Sequence, residues 1–140
     1  MAILFFVKGI KYPIKDKRKI KAWIKEVIEQ EKKTQGDINI ILSDDSHLLE
    51  VNKEYLKRDY YTDIITFDYC VGNVISGDLF ISIDRIKENA RKYKVEDKTE
   101  LYRVIIHGIL HLAGYNDQKK KESEVMKRAE DKYLENFLIE

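Results

Sequence analysis

The chain of 140 residues has few cysteines, prolines and glycines, and it has no long apolar run. It has one cysteine, Cys70, so no disulfide can form within it, which is typical of a reducing compartment. It has one proline and six glycines and no linker-like Pro/Ser/Gly tract, which predicts a single domain over residues 1–140. It also lacks an apolar run of membrane-spanning length and a basic-then-apolar leader. These absences predict a cytoplasmic protein with no membrane partner.

A strong excess of one charge is also missing. The 26 lysines and arginines nearly balance the 25 acidic residues, which leaves a net charge of +1. A global positive field therefore cannot be the main attraction for a nucleic acid, and any basic patch must be local. Lys-rich stretches at residues 8–25 and 117–123 offer such patches, although solvated helix faces have the same composition.

Four short apolar runs rich in β-forming residues predict strands. They are "AILFFV" (2–7), "INIIL" (38–42), "IITFDYCV" (64–71) and "DLFISI" (78–83). The segment "GNVISG" between the last two is typical of a turn or loop.

Helical spacing of apolar residues predicts about five helices. The first starts near Lys15 and ends near Gly36, and the others cover residues 43–56, 84–93, 97–114 and 120–139. No internal repeat is present. Strands and helices in this order predict an α+β fold, with one small four-stranded mixed sheet packed against the helices.

Two of the three histidines stand four residues apart in the segment "HGILHLAGYND" (107–117). The apolar residues of segment 97–113 are in register for a largely buried helix, on which residues four apart lie on one face and about 6 Å apart along the axis. His107 and His111 therefore project side by side, and two ring nitrogens can converge on one ion. The pair alone leaves open a second interpretation, core histidines bonded to backbone groups.

A glycine turn follows this helix and brings a third candidate ligand within reach. Gly114 stands where a residue that tolerates a left-handed conformation lets the chain turn back. Asp117 then gives the spacing H-x3-H-x5-D. Two imidazoles and a carboxylate, with a fourth position left open, form the ligand set of a catalytic zinc site rather than a structural one. The pattern favours a metal cleft at this helix.

A peptidase is disfavoured by one residue. Zinc peptidases with the pattern H-E-x-x-H carry their general base directly after the first histidine, whereas this chain has Gly108 there. An ion at this place still activates water and offsets phosphate charge, which suits a phosphodiester better than an amide. No side chain is a clear general base, so the attacking group is either water activated by the ion or a substrate hydroxyl.

Three segments resemble the YbeY family. The run "HGILHLAGYND", followed by Met126 and Glu130, is similar to its signature H-G-x-L-H-L-x-G-Y-D-H. The segment "VNKEYLKRDYYTDIITF" resembles the family's asparagine, basic residue and T-D-V-L-S-F strand, and "SGDLFIS" resembles its G-D-I-x-I-S strand. The resemblance implies a metal-dependent, single-strand-specific endoribonuclease that acts in ribosomal RNA processing and ribosome maturation. The implied partners are single-stranded ribosomal RNA and the small ribosomal subunit, and no DNA is expected.

The resemblance carries over the metal ligands by position. His107 and His111 match the first two ligands, while the third position, a histidine in the family pattern, is Asp117, preceded by Asn116 instead of the usual aspartate. The anionic ligand leaves less net positive charge at the ion, so bound water is acidified less than by three histidines. We still predict one zinc ion, because two histidines and a carboxylate are an accepted catalytic set. Iron, manganese and nickel suit the same ligands.

The resemblance also carries over an arginine ahead of the T-D strand that faces the metal cleft, here Arg58. A guanidinium stays charged, donates in a planar fork and can stabilise charge that develops on a scissile phosphate. Arg58 is therefore the predicted catalytic residue. Without the resemblance, a surface arginine in a polar loop is the simpler interpretation.

Four other residues of interest are expected to have no role in catalysis, and two interpretations of a fifth, Tyr115, stay open. His47 is expected to be an exposed polar residue with no role at the metal, and Met126 a core residue. Thr62 and Asp63 are expected to brace the loop that carries Arg58. Tyr115 either stacks on a base or packs under the turn.

Two rival functions stay open at this point. A non-catalytic ribosome-assembly factor with a structural metal and an RNA-binding Lys-rich surface would lose thermal stability on chelation but would have no cleavage to lose. A metallohydrolase of another substrate would show turnover without RNA.

Overall fold

The computed structural model describes residues 1–139, and Glu140, the last residue of the predicted domain, lies outside the described residues. Within residues 1–139 the chain forms four strands and five helices, in the order β1 (Ile3–Val7), α1 (Lys17–Gln30), β2 (Thr34–Ser43), α2 (Asp45–Leu56), β3 (Ile64–Asp68), β4 (Val74–Ser82), α3 (Ile83–Tyr93), α4 (Asp97–Leu112) and α5 (Lys120–Ile139). The predicted α+β class is confirmed.

The four strands form one mixed sheet in the order β1-β2-β4-β3. β2 pairs in parallel with both β1 and β4, whereas β3 runs antiparallel to β4. Side chains alternate across a strand, so Ile38, Ile40 and Leu42 of β2 point to the same face, where all three are fully buried. The main core lies on this face.

Helices cover both faces of the sheet. Residues of α1, α3, α4 and α5 pack into the main core on one face. α2 covers the other face through a smaller cluster of Leu48, Val51 and Ile65. None of the helices in the described part of the chain is long and apolar enough to cross a membrane.

α4 lies at the centre of the main helical layer, in contact with β3, β4, α1, α3 and α5. Ten of its 16 residues are buried. Gly108 allows the close approach to the sheet, because a Cβ there would lie 2.8 Å from Ile64 Cδ1 and 2.9 Å from Leu79 Cδ2. His107 and His111 therefore lie on a helix that packs against other elements on nearly all sides, which holds both side chains in place.

The end of α4 reverses the chain at the predicted glycine. Gly114 has a φ of 107°. Its N–H donates to the carbonyl of His111 and the N–H of Tyr115 donates to the carbonyl of Leu110, each at 3.0 Å. These bonds satisfy carbonyls that the helix leaves without partners. The segment that follows therefore turns back over the end of α4, which brings Asp117 towards the histidines.

The predicted turn "GNVISG" was wrong over most of its length. β4 begins at Val74, so only Gly72 and Asn73 reverse the chain, with Gly72 at a φ of 58°. The next residues are extended because Val74 and Ile75 pair with Thr34 and Gln35 at the start of β2.

The predicted end of the first helix was also wrong. α1 ends at Gln30, and Gly36 lies inside β2, next to an irregularity in the pairing between Gln35 and Ile38. A Cβ at Gly36 would lie 2.1 Å from Ser76 Oγ. This glycine therefore permits close contact between strands and does not end a helix.

Candidate active site

The three predicted ligands converge at the end of α4. The Nε2 atoms of His107 and His111 are 3.0 Å apart, and Asp117 Oδ2 lies 3.3 Å from the first and 3.4 Å from the second. Ligands about 2.0 to 2.1 Å from a tetrahedral zinc ion lie about 3.3 Å from one another. The three atoms thus form a triangle of the size that tetrahedral zinc requires.

Hydrogen bonds at the other ring nitrogens fix the histidine tautomers. His107 Nδ1 lies 2.5 Å from Glu130 Oε2, and His111 Nδ1 lies 3.1 Å from the carbonyl oxygen of Tyr115. A carbonyl and an ionised carboxylate only accept, so each Nδ1 donates and each neutral ring presents its Nε2 lone pair to the common point. With both rings neutral, two lone pairs and the Asp117 carboxylate meet at one point, and a metal ion or a proton between them removes their repulsion. The donor set therefore fits a metal ion.

Glu130 is the partner that orients His107. It is buried on α5, and its Oε1 accepts from Arg103 Nη1 at 3.2 Å, while Arg103 Nη2 pairs with Asp131 at 2.9 Å. Burial by itself lowers the pKa of His107, but the hydrogen bond and charge of Glu130, followed by the charge of Asp117, outweigh burial and raise the pKa. The carboxylate that orients the ring also makes it a stronger electron-pair donor.

We expect Glu130→Gln to lower the affinity for zinc by about 10- to 100-fold, the usual effect of losing the hydrogen-bonded partner of a ligand. The amide oxygen can still accept from Nδ1, but the side chain no longer carries charge. Competition with a chromophoric chelator measures the affinity. Glu135→Gln, at an exposed position on the same helix, is the matched control. Equal zinc affinity in the two variants would mean that Glu130 serves only the packing of α5.

Asp63 is another carboxyl group near His107. Burial raises the pKa of Asp63, and the charge of His107 and the backbone N–H groups around the carboxyl offset this only in part. The Asp63 carbonyl accepts from the N–H of Ser82 at 3.0 Å, and the Thr62 hydroxyl donates to the carbonyl of Ile64 at 3.4 Å. The first bond ties the residue before β3 to the end of β4, and the second is local to the segment that Thr62 and Asp63 were predicted to brace.

Arg58 lies in the loop that follows α2. The helix ends at Leu56, the next residue Lys57 has a φ of 56°, and the N–H of Arg58 donates to the carbonyl of Asn52 at 3.1 Å. The buried Asn52 side chain also donates from Nδ2 to the carbonyl of Tyr60 at 2.9 Å. Asn52 therefore holds the loop at two points. The Arg58 side chain is exposed, with Nη1 3.4 Å from the Tyr60 hydroxyl.

All four predicted site residues line one cleft of about 520 Å³, here called the metal cleft. Its walls are formed by the end of α2 with the loop after it, by β3, and by the end of α4 with the following turn. The four predicted residues are Arg58, His107, His111 and Asp117. Its volume falls within the range of sites for small organic ligands, about 300 to 1,000 Å³. The structure thus brings Arg58 to the same cavity as the three convergent donors.

The structure confirms the predicted burial of Met126 but not the predicted exposure of His47. Met126 is a core residue, as predicted, with 1% of its surface exposed. His47 is not fully exposed, so this prediction was wrong: it is partly buried, with Nδ1 2.8 Å from Ser43 Oγ and its ring 6.0 Å from that of Phe80. Its neighbours lie on the sheet face that α2 covers.

Tyr115 packs under the turn rather than facing the metal cleft. It is partly buried against the main core. Burial and a hydrogen bond to the Glu31 carboxylate raise the pKa of its phenol to about 12. Its backbone carbonyl, which accepts from His111, is the part of the residue that bears on the site. Sequence reasoning gave no role to that carbonyl, nor to the Glu130 carboxylate.

The mixed sheet and the helices packed on it define an α+β protein, in which two histidines and an aspartate form a group that could hold a metal ion. The model of a family described as Endoribonuclease YbeY matches residues 8–138. The chain is 51% identical over 134 residues to the Endoribonuclease YbeY of Bacteroides fragilis, covering 96% of each chain. It is also 51% identical to that of Bacteroides thetaiotaomicron, covering 96% of this chain and 98% of the relative. The chain belongs to the YbeY family, which confirms the resemblance of its motifs.

A solved structure shows the same fold. The solution structure of TM1509 from Thermotoga maritima aligns with a TM-score of 0.69 at 29% identity. The alignment covers 97% of this chain and 89% of that chain. The four-stranded sheet and its helices are therefore shared over nearly the whole length of both proteins.

Proposed function

We propose that this chain is a metal-dependent endoribonuclease that cuts single-stranded RNA during ribosomal RNA processing. The observation that carries the proposal is the convergence of three electron-pair donors in a cleft that also holds Arg58. The relatives at 51% identity, named Endoribonuclease YbeY, support the reaction class. The ion is zinc, the substrate strand comes from the small ribosomal subunit, and the location is the cytoplasm.

His107, His111 and Asp117 would hold the zinc ion. A bound ion of this kind supplies Lewis acidity, which offsets negative charge on a phosphodiester and makes water a stronger nucleophile at neutral pH. Glu130 and the Tyr115 carbonyl keep both imidazoles in the tautomer that directs Nε2 to the ion. All three residues line the metal cleft, which a phosphate can enter.

Arg58 acts on the phosphate in this mechanism. Its guanidinium is exposed in the metal cleft and makes no ion pair among the contacts of the described residues. Two parallel N–H donors of a guanidinium match two oxygens of a phosphate, so Arg58 can orient the scissile group and stabilise charge that develops on it. Asn52 fixes the backbone of the loop from which the side chain extends.

Local positive charge supports RNA as the substrate in a chain with a net charge of only +1. Lys57 precedes Arg58, and residues 119–121, all lysines, follow the part of the turn that lines the metal cleft. These lysines are exposed. Their contacts with phosphates would be independent of base sequence and sensitive to salt.

We expect the zinc-loaded protein to cleave a fluorescent single-stranded RNA at internal positions. A chelator should reduce cleavage to the blank rate, and added zinc should restore it. The same strand annealed to its complement should be cleaved at least about tenfold more slowly, because paired bases cannot splay into a protein groove. A protein that binds the RNA, loses thermal stability on chelation and shows no cleavage at any zinc concentration would instead be an assembly factor with a structural metal.

A further inference from the structure

A second cleft adjoins the metal cleft. It has a volume of about 480 Å³, and His107 and Asp117 line both cavities. The second cleft lies over α4, between the end of α3 with the loop after it and α5. The ligand atoms therefore stand at the junction of two cavities and not at the end of one.

The face of α4 connects the two cavities. Glu100, Arg103, His107 and His111 follow one another at spacings of three or four residues, so their side chains lie along one face of the helix. The axial distance from Glu100 to His107 is about 10 Å at the helical rise. A strand that follows this face would pass from the metal ligands into the second cleft.

The walls of the second cleft combine apolar surface with positive charge. Tyr93 and Val95 line one side and are 58% and 42% exposed. Met126 and Lys127 of α5 line the other side. An exposed aromatic ring offers a face on which any base can stack, and a lysine at the rim can contact a phosphate. Nothing in the proposed mechanism uses these four residues.

We propose that the second cleft holds the nucleotide on one side of the scissile phosphate, with its base against Tyr93 and its outer phosphate at Lys127. The metal cleft then holds the nucleotide on the other side, near Arg58. This inference rests on the proposed function. An endonuclease must accommodate the chain on both sides of the bond that it cuts, and the ligands stand where the two cavities join.

The acidic residues of the second cleft are compatible with an RNA strand. Glu130 is paired with Arg103 and with His107. Glu100 is buried, and burial followed by the charge of Asp63 raises its pKa. The third acid of this cleft, Asp117, is one of the proposed metal ligands, so none of the three is left as an exposed charge without a partner once the ion is bound.

Steady-state cleavage of a single-stranded RNA oligonucleotide by the zinc-loaded Tyr93→Ala and Lys127→Ala variants tests the proposal. We expect KM to rise about tenfold for Tyr93→Ala, in line with the loss of one stacked base, while kcat and zinc content stay at wild-type values. Lys127→Ala should raise KM less and reduce the dependence of KM on salt. Lys132→Ala, at an exposed position of α5 that lines neither cleft, is the matched control and should leave KM unchanged.

Photo-cross-linking from thiouridines on either side of the cut provides a second readout. One side should cross-link to residues 93–103 or 123–130, and the other side to residues 56–66. Cross-links from both sides to residues 56–66 alone, or wild-type KM in both variants of an active enzyme, would overturn the second-cleft proposal and leave the proposed function intact. A wild-type protein that cleaves no RNA would overturn both.

Discussion

Asp117→Ala should lose zinc and RNA cleavage together. The carboxylate supplies one of three donor atoms, 3.3 and 3.4 Å from the two ring nitrogens, and its removal leaves only the pair of imidazoles. Loss of a residue that hydrogen-bonds to a metal ligand lowers the affinity for the metal by up to about 100-fold. Loss of the ligand itself should lower the affinity for zinc by more than that. Bound zinc is measured by mass spectrometry after dialysis, and cleavage on the same samples. The Asp117 side chain is 37% exposed, so the fold should survive the change.

Two further variants separate the ligand from its surroundings. Asn116→Ala changes the exposed neighbour in the same turn and should keep both zinc and activity. Asp117→His rebuilds a set of three nitrogens and should keep zinc, while the pH–rate profile shifts to lower pH because three neutral ligands leave more positive charge at the ion. Full zinc occupancy in Asp117→Ala, with circular dichroism unchanged, would show that the ligand assignment is wrong.

The features that local sequence determines were predicted well. The register of apolar residues gives α4 and places His107 and His111 on one face, because the helical period alone decides which side chains are neighbours. Gly114 marks the end of α4 because a left-handed residue is needed there. Both predictions depend on a few consecutive residues and on no distant contact.

The features that depend on packing were missed. Glu130 lies 23 residues from His107 and reaches it only because α5 packs on α4. The same holds for Gly36, which resembles a helix stop until β2 and β4 are seen to pair. The start of β4 was hidden because "GNVISG" contains glycine, asparagine and serine, residues typical of turns, although pairing with β2 keeps most of the segment extended.

The sequence predicted Arg58 as a site residue but not the contacts that position it. The motif alone identified the residue, and the structure adds the reason for its placement, the buried Asn52 that binds the loop backbone at two points. An asparagine within a helix pattern has many possible partners, so the sequence does not predict this pair of bonds. The proposed role of the arginine therefore depends on an anchor that only the folded chain makes visible.

Arg58→Ala should keep zinc and lose most of the RNA cleavage, whereas Asp117→Ala should lose both. The guanidinium has the Tyr60 hydroxyl as its hydrogen-bond partner and touches none of the three ligands, so the metal site should be unaffected. Loss of a donor that stabilises developing charge lowers kcat by about 100- to 1,000-fold. Single-turnover cleavage at saturating RNA measures this rate apart from binding.

The control variants distinguish chemistry from attraction of the strand. Lys57→Ala removes the adjacent exposed cation and should raise KM and weaken its salt dependence while kcat stays unchanged. Arg58→Lys keeps the charge but not the planar fork, so it should recover binding and only part of kcat. If Arg58→Ala instead behaves like Lys57→Ala, with kcat at the wild-type value, the arginine only recruits RNA, and charge on the scissile phosphate must be stabilised by the metal site alone.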